Sequence, residues 1–165
     1  MGDARILVDQ ARINAQSNRL TYDEPIDLEV LGKRIADITQ VYTQHAGVRP
    51  FGASIIFAGI DKTGSKVFLT EPSGAYWGFK AVAIGAGADI VKPILEKGYK
   101  DDMRLEEAAV LALSSISKVV EGKIESQKVR MATVDFKTKK YRVLPWGEVE
   151  SFLKGLTGNK RSAEK

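Results

Sequence analysis

Tyr42-Thr43-Gln44-His45-Ala46-Gly47-Val48-Arg49-Pro50-Phe51-Gly52 runs directly into the apolar segment Ala53-Ser54-Ile55-Ile56-Phe57-Ala58-Gly59. The spacing of apolar residues changes across this stretch, and that change decides the fold. Upstream, Leu31, Ile35, Ile38 and Tyr42 recur at three- and four-residue intervals, which predicts one buried stripe of a helix. Asp27 stands where a helix cap is expected. Gly47 and Pro50 stop the helix, since proline lacks an N–H and restricts the residue before it. Beyond Gly52 the pattern becomes that of strands. A helix, a rigid turn and a strand therefore meet here.

Toward the N-terminus, Ala4, Leu7, Val8, Ala11 and Ala15 predict an earlier amphipathic helix, with Arg5, Arg12 and Gln16 on its other side. Tyr22-Asp23-Glu24-Pro25 interrupts it. Toward the C-terminus, residues 53–60, 66–70 and 75–84 read as three strands, joined by the turn sequences Asp61-Lys62-Thr63-Gly64 and Pro72-Ser73-Gly74. Two helices are then expected. The first covers about 88–97, with Ile90, Ile94 and Leu95 inward, and Pro93 requires it to start near 90 or to kink. The second covers about 103–120, with a stripe of Leu105, Ala109, Ala112, Leu113, Ile116 and Val120, and with Asp101 or Asp102 near its N-terminus. A hairpin from 129–136 and 141–144 and a short helix over 148–156 complete the pattern.

A length of 165 residues suits one sizeable core. The hydrophobic content of 44% and charged content of 28% belong to a folded chain rather than a disordered one. No cysteine is present, which excludes disulfides and thiolate chemistry and agrees with a reducing compartment. Neither a signal-peptide pattern nor a run long enough to span a bilayer is found, so a cytoplasmic protein with no membrane partner is expected. The formal charge of +4 sits largely in Lys137-Thr138-Lys139-Lys140 and in Lys160, Arg161 and Lys165. The first group falls between two apolar alternations and reads as a solvated hairpin turn. The second reads as a flexible basic tail, 158–165, after a domain covering 1–157. Without a recognised nucleic-acid motif, and with Asp101-Asp102 and Glu106-Glu107 breaking the field, no nucleic-acid partner is expected.

Few residues offer chemistry. His45 is the only imidazole and has no clustered second ligand or nucleophile, so it reads as a helix-end or exposed side chain. Gly85-Ala86-Gly87-Ala88 lacks both a Rossmann fingerprint and a Walker ending, and serves better as a tight passage into a helix. Asp3, Asp9, Asp61 and Glu71 have no metal-ligand spacing, and Thr70 and Ser73 have no evident base. A chain starting Met1-Gly2 offers no Ser, Thr or Cys as an N-terminal nucleophile. No catalytic residue, metal or cofactor is therefore expected. Tyr76, Trp77 and Phe79 alternate along a strand and suit sheet-face packing or an intersubunit contact, while Trp146 suits a packing anchor. Arg49-Pro50 sets a donor fork beside a rigid turn, suited to a structural salt bridge or a subunit joint.

In order along the chain, Asp3-Ala4-Arg5-Ile6-Leu7-Val8, Asn18-Arg19-Leu20-Thr21-Tyr22, the stretch 42–52, Phe57-Ala58-Gly59-Ile60-Asp61, Pro72-Ser73-Gly74, Lys80-Ala81 with Ala83-Ile84-Gly85, and Leu105-Glu106-Glu107-Ala108 resemble proteasome alpha-type subunits, especially the archaeal kind. The resemblance covers the C-terminal two thirds of such a subunit. It implies an α+β fold, the N-terminal-nucleophile hydrolase-like alpha-beta-beta-alpha sandwich, here without its first strands. It also implies a non-catalytic subunit of a threonine-protease complex, assembling with proteasome alpha and beta subunits into seven-membered rings. Tyr42, Arg49, Pro50, Phe51, Gly52, Tyr76, Trp77 and Phe79 become the expected structural and interface residues.

Five predicted strands are few for this many apolar helical faces, and the shortened N-terminus implied by the resemblance accounts for the shortage. A homo-oligomer, or another chain supplying the missing N-terminal strands, would cover what is left open. An independent protein-binding module, or a regulatory paralogue reusing part of the fold, is the alternative.

Overall fold

A computed structural model describes residues 2–122 and 124–160. The chain divides into two compact units, 1–80 and 81–165, each with a hydrophobic cluster of its own.

The first unit begins with α1 (Gly2–Tyr22) and α2 (Leu28–Gln44), followed by β1 (Ile55–Asp61), β2 (Gly64–Thr70) and β3 (Tyr76–Phe79). The strands form an antiparallel meander in the order β1-β2-β3, with Phe57 opposite Phe68 and Leu69 opposite Trp77. The third strand covers only the start of the expected 75–84. The ladder ends at the pairing of Val67 with Phe79, and residues beyond Phe79 have no strand partner among the described residues.

Side chains alternate across the sheet. Phe57, Phe68 and Tyr76 lie on the face covered by α2, where they join Leu31 and Ile35 of α2 and Leu7 and Ala11 of α1. That stripe is the one the spacing of α2 predicts. Fully burying a side chain such as Ile35 contributes about 1.5–3 kcal/mol.

Asp27 occupies the N-cap of α2, as expected, but its side chain makes no capping bond. The free Leu28 N–H instead donates to Asp61 Oδ2 at the end of β1, 3.2 Å away. Asp61 Oδ1 also accepts from the Thr63 backbone N–H (2.8 Å) and hydroxyl (2.7 Å), and Lys66 Nζ stands 3.7 Å from Oδ2. One buried carboxylate thus ties the start of a helix to the turn of a hairpin. Burial pushes its pKa up, but the Thr63 and Leu28 hydrogen bonds outweigh this and hold it below the usual value.

The turn after β2 locks the sheet to α2. Thr39 Oγ1 donates to the carbonyls of Ala36 (2.9 Å) and Glu71 (3.3 Å). Gly74, at φ 87°, lies so close to α2 that a Cβ there would sit 2.8 Å from Gln40 Cα and 3.0 Å from the Ala36 carbonyl. Only glycine meets both demands.

In the second unit, α3 (Ala88–Gly98) and α4 (Leu105–Ile116) pack on one another, and α4 packs on α5 (Trp146–Lys160). A 3-10 turn, Ser126–Lys128, and the short hairpin β4 (Ala132–Val134) and β5 (Tyr141–Val143) lie between α4 and α5. Leu113, Leu144 and Val149 form the core.

Several expectations change here. Helix α3 starts at Ala88 and contains Pro93 within it, with Val91 buried and Ile90 exposed. Gly87 occupies the N-cap at φ 84°, a left-handed conformation that suits glycine. Helix α4 stops at Ile116, leaving Leu105, Ile116 and Val120 exposed, while Ala109, Leu113 and Ser115 are buried. At its N-terminus Glu107 accepts from the Arg104 N–H at 2.8 Å, a capping bond from inside the helix, while Asp101 and Asp102 stand just before it as expected. Helix α5 runs from Trp146 to Lys160, so residues 158–160 are helical rather than tail, and 161–165 lie outside the described residues. Trp146, in the first turn of α5, is exposed; Leu144 and Val149 fill the space against Leu113 that a packing anchor would take.

Candidate functional site

The stretch that follows α2 is held by three devices. Tyr42, in the last turn of α2, lays its ring against Phe51, with centroids 4.6 Å apart and planes inclined at 55°. Phe51 is buried in the first core while Tyr42 keeps an exposed edge. Arg49 reaches back to the first turn of α1: Nη1 donates to Asp3 Oδ2 (2.6 Å) and Nη2 to Asp3 Oδ1 (2.9 Å). Such a fork-to-carboxylate pair fixes orientation as well as distance. Asp3 Oδ2 also accepts from the Gly52 N–H at 2.9 Å, and Arg49 Nη1 from the other side donates to the Pro50 carbonyl at 3.1 Å.

The Arg49 guanidinium, followed by the Gly52 N–H, pulls the pKa of Asp3 down to about 2. Asp3 in turn raises that of Arg49. Arg49 is thus the donor of a salt bridge within the first unit. Gly52 needs no special geometry, since a Cβ there would stand an ordinary 3.6 Å from Asp3 Oδ2. Gly47, at φ 87°, makes the turn itself, and His45 is exposed at the helix end.

The second group of aromatic residues divides by face. Tyr76 turns inward and approaches Phe68, with ring centroids 6.4 Å apart. Trp77 and Phe79 lie on the opposite face and are 48% and 40% exposed. That face also carries Ile56, Ala58, Val67 and the buried Leu69, so it is apolar, and neither α1 nor α2 lies on it. The structure thus places Tyr42, Arg49, Pro50, Phe51 and Gly52 in one joint, and Trp77 and Phe79 on a separate surface of the same unit.

Sequence reasoning missed Asp3 and Asp61, which it set aside as scattered carboxylates. Asp3 lies 46 positions from its partner. The only available signal was an arginine fork lacking a nearby acid. Among the described residues, no group of His, Asp and Glu side chains could hold a metal ion, and no helix is long and apolar enough to cross a membrane.

Helices covering one face of an antiparallel meander, with exposed aromatic residues on the other, define an α+β layer protein. Comparison with known proteins gives the lineage. The family model described as "Proteasome subunit" matches residues 1–134. The chain belongs to the proteasome subunit family.

It is 44% identical to the proteasome subunit alpha of Methanothermobacter thermautotrophicus, over 99% of this chain and 66% of that protein. With that of Pyrococcus horikoshii it shares 46% identity, over 93% of this chain and 58% of the relative. With that of Methanosarcina acetivorans it shares 41%, over 99% and 66%. The chain therefore spans a little under two thirds of the length of these curated relatives.

Proposed function

We infer that this chain is a non-catalytic alpha-type subunit of a proteasome core particle, forming part of the outer ring in protein degradation. The observation that supports this is the match to proteins named proteasome subunit alpha across 99% of the chain. The independent-module alternative is not favoured by it.

In this reading the helices α1 and α2 and the sheet β1-β2-β3 are two layers of an alpha-beta-beta-alpha sandwich. The exposed face carrying Trp77, Phe79 and Ile56 meets the second sheet, whether that comes from the same polypeptide or from another one. The joint of Tyr42, Arg49, Pro50, Phe51 and Gly52 holds the loop after α2 in a fixed shape for subunit contact. The location is cytoplasmic, and the partners are proteasome alpha and beta subunits.

The test is co-expression with alpha and beta subunits of the same source, followed by light scattering and electron microscopy of the purified product. A high-mass ring containing this chain is expected. A folded monomer that joins neither subunit would overturn the assignment.

A further inference from the structure

The tip of the β4–β5 hairpin carries a charge that the fold of the second unit does not use. Residues 135–143 are all exposed. Lys137, Lys139 and Lys140 stand in this run, and none of the three forms a salt bridge among the described residues. The one acid of the run, Asp135, is engaged by the turn itself: its Oδ1 accepts from the N–H groups of Lys137 (3.1 Å) and Thr138 (2.6 Å). Its carbonyl accepts from the Lys139 N–H at 2.8 Å, and its own N–H donates to the Lys140 carbonyl at 3.1 Å. These bonds hold the backbone of the tip in one shape.

That shape sets Lys139 at φ 54°, in the left-handed region. Glycine takes this conformation freely, and Asn or Asp compensates for it with local hydrogen bonds; lysine does neither. The other non-glycine residue at positive φ among the described residues is Asp23, which belongs to the tolerant kind. Strain kept at an exposed tip, where no packing calls for this side chain, points to use of the side chain itself.

From position 137 to 140 the chain reaches at most about 10 Å. Carboxylates on alternate residues of an extended peptide, about 7 Å apart, match that span. Phe136 and Tyr141, 63% and 69% exposed, flank the lysines in sequence and offer an apolar contact beside them. Lysine presents a point charge rather than the planar fork that reads phosphate through two bonds, and three charges are few beside the roughly six to ten phosphate contacts of a duplex binder. A hairpin tip also lacks the broad apolar face that seats on a membrane.

We propose that the tip of the β4–β5 hairpin binds an acidic peptide segment of another protein, whose carboxylates pair with Lys137, Lys139 and Lys140 and whose apolar side chain rests on Phe136 or Tyr141. This stands apart from the assembly reading, since it requires neither a ring nor a proteasome subunit.

The experiment uses the full chain and fluorescein-labelled Glu-Leu-Glu-Leu-Glu, with Gln-Leu-Gln-Leu-Gln as the neutral control, followed by fluorescence anisotropy. Binding of the acidic peptide alone, weakened by salt, is expected. Lys137→Gln with Lys140→Gln should weaken it about tenfold, whereas Lys97→Gln with Lys118→Gln, which removes the same charge elsewhere, should leave it within about twofold. Lys139→Gly relieves the backbone and removes the ammonium, so it should melt at a higher temperature than the wild type and yet bind at least about threefold more weakly.

No binding by the wild type, equal loss in the tip and control variants, or a Lys139→Gly protein that gains stability with no loss of binding would each overturn the proposal. A lower melting temperature for Lys139→Gly would remove the strain argument and the proposal with it. Tighter, tip-dependent binding of oligothymidylate or of phosphatidylserine vesicles would assign the lysines to a nucleic-acid backbone or to an anionic membrane instead. In all these outcomes the assembly reading is untouched.

Discussion

Asp3 and Arg49, 46 positions apart in sequence, face one another through two N–H···O bonds of 2.6 and 2.9 Å. The first turn of α1 is thereby fastened to the loop that follows α2. The pair lies at the surface, so its value is directional rather than large.

This pair sets a pH window. The folded-state pKa of Asp3 is about 2, lowered from 3.8. A depressed carboxylate contributes stability above its unfolded value, and the contribution fades as pH falls from about 4 toward 2. In a double-mutant cycle of Asp3→Ala and Arg49→Ala followed by urea unfolding, a favourable coupling at pH 7 that vanishes near pH 2 is expected. Equal coupling at both pH values would contradict the geometry. Arg49→Lys should recover only part of the coupling, since an ammonium cannot reproduce the planar fork.

Asp61 is the more costly carboxylate to lose. Asp61→Ala leaves the N–H groups of Leu28 and Thr63 without their acceptor at a buried point, and it should cost about 1–3 kcal/mol. Urea denaturation at neutral pH measures it. Because the pKa of Asp61 is held down in the folded state, its contribution is present at neutral pH and declines as the group protonates in acid. Asp61→Asn should recover part of the loss at pH 7.

Two glycines should respond differently to the same change. Gly74→Ala places a methyl against Gln40 and the Ala36 carbonyl at φ 87°, and it should destabilise the first unit by roughly 1–3 kcal/mol. Gly52→Ala meets nothing closer than 3.6 Å and should stay within about 0.5 kcal/mol of the wild type. Thermal unfolding of the two variants side by side distinguishes them. A similar loss in both would mean that the close approach to α2 is not what Gly74 serves.

The exposed face of the sheet can be read by fluorescence. In a Trp146→Phe background, the indole of Trp77 should emit at long wavelength and be quenched readily by acrylamide. Adding assembly partners should shift the emission to the blue and reduce quenching, as the face carrying Trp77 and Phe79 is covered. No change on confirmed assembly would place that face outside the contacts.

Much of the first unit was legible in the sequence because its signals are local. The change of period across 42–52 located the end of α2 and the start of β1, and the stripe of Leu31, Ile35 and Ile38 identified its buried side. The second unit was harder to read. There the apolar residues of α4 are numerous enough to suggest a longer stripe, and only packing shows that Leu105, Ile116 and Val120 lie outside it. The site was legible as a set of residues but not as a joint. Arg49 could be recognised as a donor seeking an acid, yet its partner, like the partner of the Leu28 N–H, is set by the folded chain rather than by sequence proximity.

Helix α1 keeps its two sides separate: none of Ile6, Ile13 and Leu20 belongs to the cluster that Leu7 and Ala11 join. Natural variation can therefore rewrite the outward side without disturbing the inward one.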